Sequence, residues 1–301
     1  MAQLAFAMPV SPGEAEREAV LLARSQRAFG GALRQAALWA LLPNAAEALT
    51  SGTREALSAL GVELVPFPIA DDALRFPFAV KAFAAAAAEE FARGRADILV
   101  WMDADTLVLQ EPGALILASQ EALGCCPIHH LRIGPPYDTP LGPFWRLIYD
   151  QCAVPEERAF LLHTVVDGER IRPHLNAGLL AVRPERGLLR AWRDNFTRLY
   201  RQPAFQQFYA QNGLYRIFVH QAILSGTVLS LLTPAEIRVL PLLYNYPLHL
   251  HAAFPPERAV ARLNDLVTCR YDGWEFLARP GWQDVIRIEE PLKAWLEEQV
   301  S

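Results

Sequence analysis

Two carboxylates separated by a single residue are the clearest chemical signal in the sequence. Asp103 and Asp105 follow directly after residues 98–102, an apolar run of strand-forming residues. Such a run is typical of a strand that is buried on both faces of a sheet. In extended backbone, side chains two residues apart point to the same side, so both carboxylates can reach one cation. Because ligands collect at the carboxyl ends of strands in open α/β sheets, the pattern predicts a metal–phosphate site.

The oxygen ligands of this stretch suit a particular class of cation. Carboxylates are the hard ligands that Mg²⁺ and Mn²⁺ prefer, and Thr106 could add a hydroxyl. A cation held here would bridge two phosphates and neutralise charge on a departing diphosphate. The alternative is structural, because acidic residues at strand ends commonly cap a turn or the next helix.

Histidines provide further candidate ligands. His249 and His251 are two residues apart, so in extended backbone both imidazoles share one face and one of them could complete a metal site. The alternative is that both are polar residues at the end of an edge strand. His129 and His130 follow two adjacent cysteines, but their spacing does not match a zinc site.

A polar amide opens a second apolar run, at residues 175–182. Asn176 stands at its start, and the small residues Ala177 and Gly178 beside it allow a ligand to approach the backbone closely. Alternatively, Gly178 simply marks a β-bulge. The segment is therefore a candidate binding element.

Three more polar residues lie on predicted helices. His220 and Gln221 begin an apolar helical stretch and are either functional or buried helix polarity. Lys81, one of the two lysines in the chain, lies on the helix before the central strand. It could reach a phosphate there, or it could simply be solvated.

The composition restricts the class of protein. With 301 residues, 52% of them hydrophobic and 20% charged, the chain can form an ordered globular protein with a substantial core. The net charge of −5 and the lack of a basic run argue against a nucleic-acid partner. The four cysteines form no Cys-x-x-Cys pair, so neither a zinc site nor a disulfide framework is expected. We expect a soluble, cytoplasmic protein without a signal peptide or a membrane-spanning segment.

The order of the predicted elements indicates an α/β fold. Strands and helices alternate up to residue 102, which predicts a largely parallel sheet. The predicted strands are 4–10, 36–42, 62–69, 98–102, 123–128, 175–182 and 237–243, and the predicted helices are 12–29, 51–60, 79–93, 142–152, 184–200 and 216–225. We expect one domain over residues 1–301, with a nucleotide-binding half at 1–112, a donor-sugar and acceptor half at 113–260 and an extension at 261–301.

Taken in order, these pieces resemble the GT-A glycosyltransferases, which transfer a sugar from a nucleotide-sugar donor. The resemblance is closest to the glycogenin and bacterial lipopolysaccharide galactosyltransferase type, and it covers Leu4 to about His251. It rests on Lys81 and then on the segments VWMDADTLVLQEP, LNAGLLAVRPE, HQAIL and YNYPLHLH. It implies a Rossmann-like GT-A fold, in which a mostly parallel central sheet is flanked by helices and followed by an elaborated C-terminal half.

The resemblance also implies how the donor would be bound. Asp103 and Asp105 would hold Mn²⁺ or Mg²⁺ on the donor diphosphate, with Asp103 near the ribose as well, and Lys81 would help to stabilise the phosphates. The end of the first strand would lie beside the nucleotide base, most often uracil, which makes a UDP-sugar the favoured donor. The residues concerned are Ala7, Met8, Pro9 and Val10.

Further roles follow from the same resemblance. Asn176 and Ala177, with Gly178 beside them, would approach the donor sugar, and Gln221 would lie near the reacting carbon. His249 or His251 would complete the metal site, with His251 preferred.

The sequence departs from the family pattern at two places. His220 precedes Gln221 where the family often has aspartate, so an acidic contact is missing. The His-x-x-Gly-x-x-Lys-Pro-Trp tail is also missing, and residues 252–255 read Ala-Ala-Phe-Pro instead. The third metal ligand, the donor sugar and the anomeric outcome therefore stay open.

Three other classes of protein compete with this interpretation. A haloacid-dehalogenase-type phosphatase needs threonine or valine where the chain has Leu107, and it needs a downstream lysine, for which Lys293 is the one candidate. A sugar-nucleotide pyrophosphorylase needs a glycine-rich phosphate loop that residues 8–13 do not supply. A non-catalytic GT-A-like binding protein is favoured by the missing acid at His220. The acceptor, whether glycan, lipid, protein or small molecule, depends on surface loops and is not specified by these motifs.

Overall fold

The computed structural model describes residues 2–44 and 48–300. Its strands are β1 (Leu4–Pro9), β2 (Ala37–Pro43), β3 (Val62–Phe67), β4 (Ile98–Met102), β5 (Thr106–Val108), β6 (Leu123–Pro127), β7 (Leu162–His163), β8 (Arg170–Ile171), β9 (Leu175–Val182), β10 (Ile237–Val239), β11 (Tyr246–Pro247) and β12 (Thr268–Arg270).

The α-helices alternate with these strands in the first third of the chain and cluster further along it. They are α1 (Glu14–Phe29), α2 (Ser51–Ala59), α3 (Asp71–Leu74), α4 (Ala79–Ala92), α5 (Pro143–Cys152), α6 (Leu188–Leu199), α7 (Pro203–Gln211), α8 (Gly213–Leu231), α9 (Trp274–Leu277) and α10 (Leu292–Val300). Short 3₁₀ helices lie at Gly31–Leu33, Gly113–Leu115, Glu156–Arg158, Pro184–Arg186, Pro234–Glu236, Leu248–Ala253, Leu263–Asp265 and Trp282–Asp284.

A seven-stranded mixed sheet, with strand order β10-β6-β9-β4-β1-β2-β3, forms the centre of the molecule. The β1–β2, β1–β4 and β2–β3 pairs are parallel, as the alternating pattern predicts, and the β6–β10 pair is parallel as well. The β9 strand runs antiparallel to both β4 and β6. All eight residues of β9 are buried and all but Asn176 are apolar or small, a pattern that does not distinguish a parallel from an antiparallel strand, so the sequence could not reveal the reversal.

The central strand β4 explains the apolar run before the two aspartates. Leu99 and Trp101 belong to a core layer that contains α4, α6 and α8, whereas Ile98, Val100 and Met102 belong to a layer on the other face with α1 and α2. Because successive side chains alternate between these two layers, every residue of the strand is apolar. The strand thus carries Asp103 and Asp105 to the edge of a fully packed sheet.

A second, three-stranded sheet has the order β11-β12-β5. In it β12 pairs in parallel with β11 and antiparallel with β5, the strand that immediately follows Asp105. A separate core cluster around Tyr246, Tyr271 and Trp282 supports this sheet. Residues beyond 260 therefore reach the end of the central strand.

Several elements depart from their predicted bounds; the helix predicted at 184–200, for example, begins at Leu188 after the 3₁₀ helix Pro184–Arg186. The first helix begins at Glu14 rather than residue 12, because Gly13, with a φ of 101°, precedes it and donates its N–H to Glu16 Oε1 at 3.2 Å. The strand predicted at 237–243 ends at Val239. The helix predicted at 216–225 extends over the whole of α8, and within it the hydroxyls of Ser225 and Thr227 donate to backbone carbonyls four residues earlier.

One element of the described ranges, α8, is long and apolar enough to cross a membrane. Most of it is buried against α5, α6, α7 and β9. The helix packs as the core helix of a globular protein does, which accounts for its apolar composition.

Candidate active site at the end of the central strand

The two aspartates lie at the junction of the two sheets and are almost fully buried, with 3% of Asp103 and 8% of Asp105 exposed. The N–H of Asp103 donates to the carbonyl of Gly178 at 2.8 Å, which continues the pairing of β4 with β9. A Cβ at Gly178 would lie 2.9 Å from both Asp103 Oδ2 and Asn176 Oδ1. The small residue predicted to admit a ligand is therefore needed for the close approach of Asp103.

The alternative interpretation of Gly178 as part of a bulge also fits the structure. The register of β9 against β6 shifts between Cys125 and Pro127, which pair with Leu180 and Leu175. The Asn176–Gly178 segment lies within this irregular stretch. Asn176 Oδ1 accepts the N–H of Gly178 at 2.7 Å, and this contact fixes the orientation of its amide.

Two buried cations neutralise the aspartates. Lys81, 9% exposed on the first turn of α4, places Nζ 2.5 Å from Asp103 Oδ2. Arg270 on β12 places Nε 2.9 and 3.1 Å from the two carboxylate oxygens of Asp105, and 3.5 Å from Asp103 Oδ2. Burial alone would lower the pKa of Arg270, but attraction to Asp105 and Asp103 outweighs it and raises the pKa above its usual value.

Arg270 is the main functional residue that sequence reasoning missed. It is positioned by the antiparallel pairing of β12 with β5, in which Arg270 lies opposite Thr106. The available signal was an arginine inside the apolar segment 266–271, since a charged residue in such a segment needs a buried partner. Nothing local identified that partner as Asp105.

The two histidines expected to complete a metal site, His249 and His251, do not have the predicted backbone conformation. His249 and His251 lie on the 3₁₀ helix Leu248–Ala253, not on extended backbone, and in a helix with three residues per turn they point in different directions. The Nδ1 atom of His251 lies 2.8 Å from the hydroxyl of Tyr246. His249 instead faces the cavity described below, with Nε2 4.0 Å from Asp272 Oδ2. The sequence prediction that the two imidazoles share one face is therefore wrong.

The donor set does not fit a divalent cation in this arrangement. Residues 2–44 and 48–300 contain no group of three or more histidine, cysteine, aspartate or glutamate side chains that could hold a metal ion. Within the same ranges, Asp103 Oδ1 is the one carboxylate oxygen of the aspartate pair without a hydrogen-bond partner. Mg²⁺ is commonly held by one or two carboxylates together with phosphates and water, but three of the four carboxylate oxygens here already accept from Lys81 or Arg270, so the expected metal is not supported by these contacts.

A cavity of about 310 Å³ opens beside Arg270. Nine of the twelve residues that line it are polar, and they come from the end of β6, from β9, from α8 and from the segments around β12. The lining residues are Ile128, His129, His130, Arg132, His174, Asn176, Phe218, Gln221, His249, Leu250, Arg270 and Asp272.

Two predicted sugar-contacting residues, Asn176 and Gln221, line this cavity. The Nδ2 atom of Asn176 lies 3.4 Å from Nε2 of His129. Burial lowers the pKa of His129 well below its usual value, and the positive charges of Arg270 and His249 act in the same direction. The imidazole of His129 is therefore neutral at physiological pH and can act as a hydrogen-bond acceptor or donor.

His220 lies behind the cavity wall and is not one of its lining residues. Its ring stacks on Phe78 with centroids 5.0 Å apart, and the Lys81 ammonium lies 5.0 Å from the same Phe78 ring. Burial, followed by the positive charge of Lys81, lowers the pKa of His220 well below its usual value. A neutral imidazole here packs on Phe78 and adds no further positive charge beside Lys81.

The end of the first strand offers little open surface. The side chains of Met8 and Val10 are fully buried in the core layer with α1, and Ala7 is buried in the opposite layer. Pro9 is partly exposed. Of these four predicted nucleotide contacts, Pro9 is thus the one whose side chain is accessible.

Comparison with known proteins assigns the chain to a family. Residues 6–228 match the model of the Rhodobacterales glycosyltransferase domain. Because this match covers well over half of the sequence, the chain belongs to that family, and the protein is a glycosyltransferase. No curated protein matches the sequence.

Solved structures define the fold. The galactosyltransferase LgtC, solved with donor and acceptor sugar analogues, is 15% identical, with a TM-score of 0.51 over 98% of this chain and 95% of LgtC. The bifunctional glycosyltransferase WbbM is 12% identical (TM-score 0.54), and the match covers 99% of this chain but 52% of WbbM. GlyE of Streptococcus pneumoniae is 11% identical (TM-score 0.53), with 99% and 60% covered. These identities show the fold alone, and the predicted GT-A fold and resemblance to the lipopolysaccharide galactosyltransferase type are confirmed.

Proposed function

We propose that the protein transfers a sugar from a nucleotide-diphosphate donor, with a UDP-sugar favoured, to the hydroxyl of a glycan, lipid or small-molecule acceptor. In this reaction the bond between the anomeric carbon and the diphosphate oxygen breaks, and its electron pair stays on that oxygen. The acceptor oxygen bonds to the anomeric carbon, and its proton passes to the diphosphate or to water. The observation that carries the proposal is the polar cavity beside Arg270, at the carboxyl end of β4.

The position of the cavity supports a sugar-nucleotide ligand. In open α/β sheets, ligands bind outside the carboxyl ends of the strands, where Asp103 and Asp105 lie. The cavity is lined by two amides and by cationic groups, which suit sugar hydroxyls and phosphate oxygens respectively. LgtC, which shares this fold, was solved with both donor and acceptor sugar analogues.

The amide side chains would orient the donor sugar. Asn176 Oδ1 is held by the N–H of Gly178, which leaves Nδ2 directed toward His129 and the cavity. Gln221 reaches the cavity from α8, a helix anchored in the core. We propose Gln221 as the residue nearest the reacting carbon and Asn176 as a sugar-positioning residue.

The metal expected from the sequence is not included in this proposal. Asp103 and Asp105 are the hard ligands that Mn²⁺ and Mg²⁺ prefer, but Lys81 and Arg270 engage three of their four oxygens. No step of the reaction is therefore assigned to a metal.

The proposal is tested by calorimetric titration of UDP, with GDP beside it, followed by measurement of UDP release from a panel of UDP-sugars with and without added acceptors. We expect UDP to bind more tightly than GDP and at least one UDP-sugar to be consumed. Binding of UDP without consumption of any donor would favour the non-catalytic alternative. Binding of neither nucleotide would overturn the proposed donor class.

A further inference from the structure

The contacts of the aspartate pair suggest a role for these residues other than metal binding. The guanidinium of Arg270 spans both carboxylates, with Nε within 3.5 Å of oxygens from Asp105 and Asp103. The ammonium of Lys81 contacts Asp103 from the opposite element, α4. Two carboxylates and two cations bring the formal charge of this cluster to zero.

A divalent cation would have to displace Arg270 to reach both carboxylates. The side chain of Arg270 is 15% exposed, and its strand β12 is paired on both sides, with β11 and with β5. A third acidic side chain, Asp272, places Oδ1 3.4 Å from Nη2 of Arg270. If the guanidinium stayed in place, the metal would bind beside a buried positive charge, which is electrostatically unfavourable.

We infer that Arg270 and Lys81 take the place of a divalent cation in this enzyme, and that Arg270 binds the donor diphosphate directly while Asp103 and Asp105 anchor the two cations. The inference rests on the proposed function, because it assigns the diphosphate-binding groups of that same site. Arg270 can bind a diphosphate in the cavity because it lines the cavity wall and is held in place by its contact with Asp105. Its Nε is engaged by Asp105 and its Nη2 lies 3.4 Å from Asp272, but each terminal nitrogen carries two N–H groups, so the guanidinium has further donors for phosphate oxygens.

A second arginine on the same cavity supports an anionic ligand. Arg132 lines the wall together with Arg270, and Asp272 is the one carboxylate among the lining residues. The two guanidiniums can therefore be shared between the phosphates of a nucleotide. The inferred outcome is a GT-A enzyme whose affinity for UDP does not depend on added metal.

The test measures Mn²⁺ binding and UDP binding separately. Free Mn²⁺ is followed by its electron paramagnetic resonance signal, with and without UDP, and UDP is titrated calorimetrically in EDTA and in Mn²⁺. For the natural sequence we expect no specific uptake of Mn²⁺ and UDP affinities that agree within about twofold in the two buffers. Arg270→His, which exchanges the guanidinium for a metal-binding imidazole, should bind Mn²⁺ at least about tenfold more tightly and make UDP binding Mn²⁺-dependent.

Two control variants keep the result interpretable. Arg270→Lys retains the charge and should bind UDP in EDTA, more weakly than the natural protein, while still not binding Mn²⁺. Arg158→His makes the same substitution at an arginine that donates to the carbonyls of Leu229 and Ser230 and does not line the cavity. It should bind neither more Mn²⁺ nor less UDP than the natural protein. Thermal melting confirms that each variant is folded.

The outcomes separate the inference from the proposed function. Tight Mn²⁺ binding by the natural protein, or UDP binding that disappears in EDTA, would overturn the inference and leave a metal-dependent glycosyltransferase. Failure to bind UDP in either buffer would overturn the proposed donor, and the inference with it. UDP binding that is unaffected by EDTA and lost in Arg270→His without Mn²⁺ supports the inference.

Discussion

Thr106 and Arg270 lie opposite each other in the antiparallel pair of β5 and β12. The same pairing continues at Asp105, whose carbonyl accepts the N–H of Tyr271 at 3.1 Å. As a result, a strand from near the end of the chain places a guanidinium on the carboxylate that follows the central strand. The charge of the site is therefore set jointly by two distant segments of the sequence.

Removing Arg270 should destabilise the protein strongly. Arg270→Met leaves Asp105 buried without its cation, and loss of one member of a buried ion pair costs about 3–5 kcal/mol. The free energy of unfolding, from urea titration, measures the effect. Arg193→Met, which removes a partly exposed partner of the exposed Asp194, should cost less than about 1 kcal/mol.

A double variant separates the ion pair from other effects of Arg270. Asp105→Leu combined with Arg270→Met removes both charges and should recover part of the stability lost in Arg270→Met. Equal stability of the natural protein and Arg270→Met would show that Asp105 is solvated rather than dependent on the guanidinium.

Gly178 should not tolerate a side chain. In Gly178→Ala the added Cβ would meet Asp103 Oδ2 and Asn176 Oδ1 at 2.9 Å, and the resulting shifts should cost about 1–3 kcal/mol. Because both displaced groups belong to the site, donor consumption should fall at least about tenfold. Unfolding and UDP-release assays measure the two effects.

The matched control for this substitution is Gly52→Ala in the first turn of α2, where an added Cβ meets nothing within 4 Å. It should leave donor consumption unchanged and stabilise the protein slightly, by about 0.4–1 kcal/mol. A Gly178→Ala variant that behaved like Gly52→Ala would mean that Asp103 and Asn176 can move without consequence.

Much of the site was predictable because its signals are local. The apolar run of β4 identified a strand buried on both faces, and its end located Asp103 and Asp105. The Asn176–Gly178 segment was recognisable from an amide and small residues at the start of another buried strand. Each of these features depends on residues adjacent in sequence, so the alternation of side chains was sufficient to find them.

The remaining features depend on contacts between distant segments. The His249–His251 spacing predicts a shared face only for extended backbone, and a 3₁₀ helix separates the two rings. The reversal of β9 leaves no trace in a strand buried on both faces, and the pairing of Arg270 with Asp105 depends on the register of β12. A charge-balanced aspartate pair and a metal-binding pair therefore have the same local sequence.

Glu18 should make stability depend on pH. Burial, with repulsion from Asp105, raises the pKa of Glu18 from 4.5 to about 7, against the opposing effect of its hydrogen bond from the Trp274 N–H. When folding raises the pKa of a carboxyl, its contribution to stability is fully present at a pH below the pKa of the unfolded state. The contribution is lost as the pH rises through the pKa of the folded state, because ionising the carboxyl is then unfavourable in the folded protein. The loss should occur between about pH 4.5 and pH 7.

Glu18→Gln tests this dependence, because the amide oxygen can still accept the Trp274 N–H but cannot ionise. At pH 8 the variant should be more stable than the natural protein by about 1–2 kcal/mol, a value reduced for the partial exposure of Glu18. Below pH 4.5 the two should agree. Glu63→Gln, at an exposed position of β3, should keep the pH profile of the natural protein, and an identical profile for Glu18→Gln would contradict the assignment.

Gln221 should affect the reaction more than donor binding. Its side chain lines the cavity, while its backbone carbonyl accepts the Ser225 hydroxyl within α8, so Gln221→Ala removes the amide without disturbing the helix. If the amide contacts the transferred sugar near the reacting carbon, kcat should fall roughly tenfold to a hundredfold. The affinity for UDP, which does not carry the transferred sugar, should change less than about twofold. Gln206→Ala is the control, because that glutamine donates to the Tyr200 carbonyl and lies outside the cavity. A loss of UDP affinity equal to the loss of kcat would instead place Gln221 at the nucleotide, and unchanged kinetics would remove it from the site.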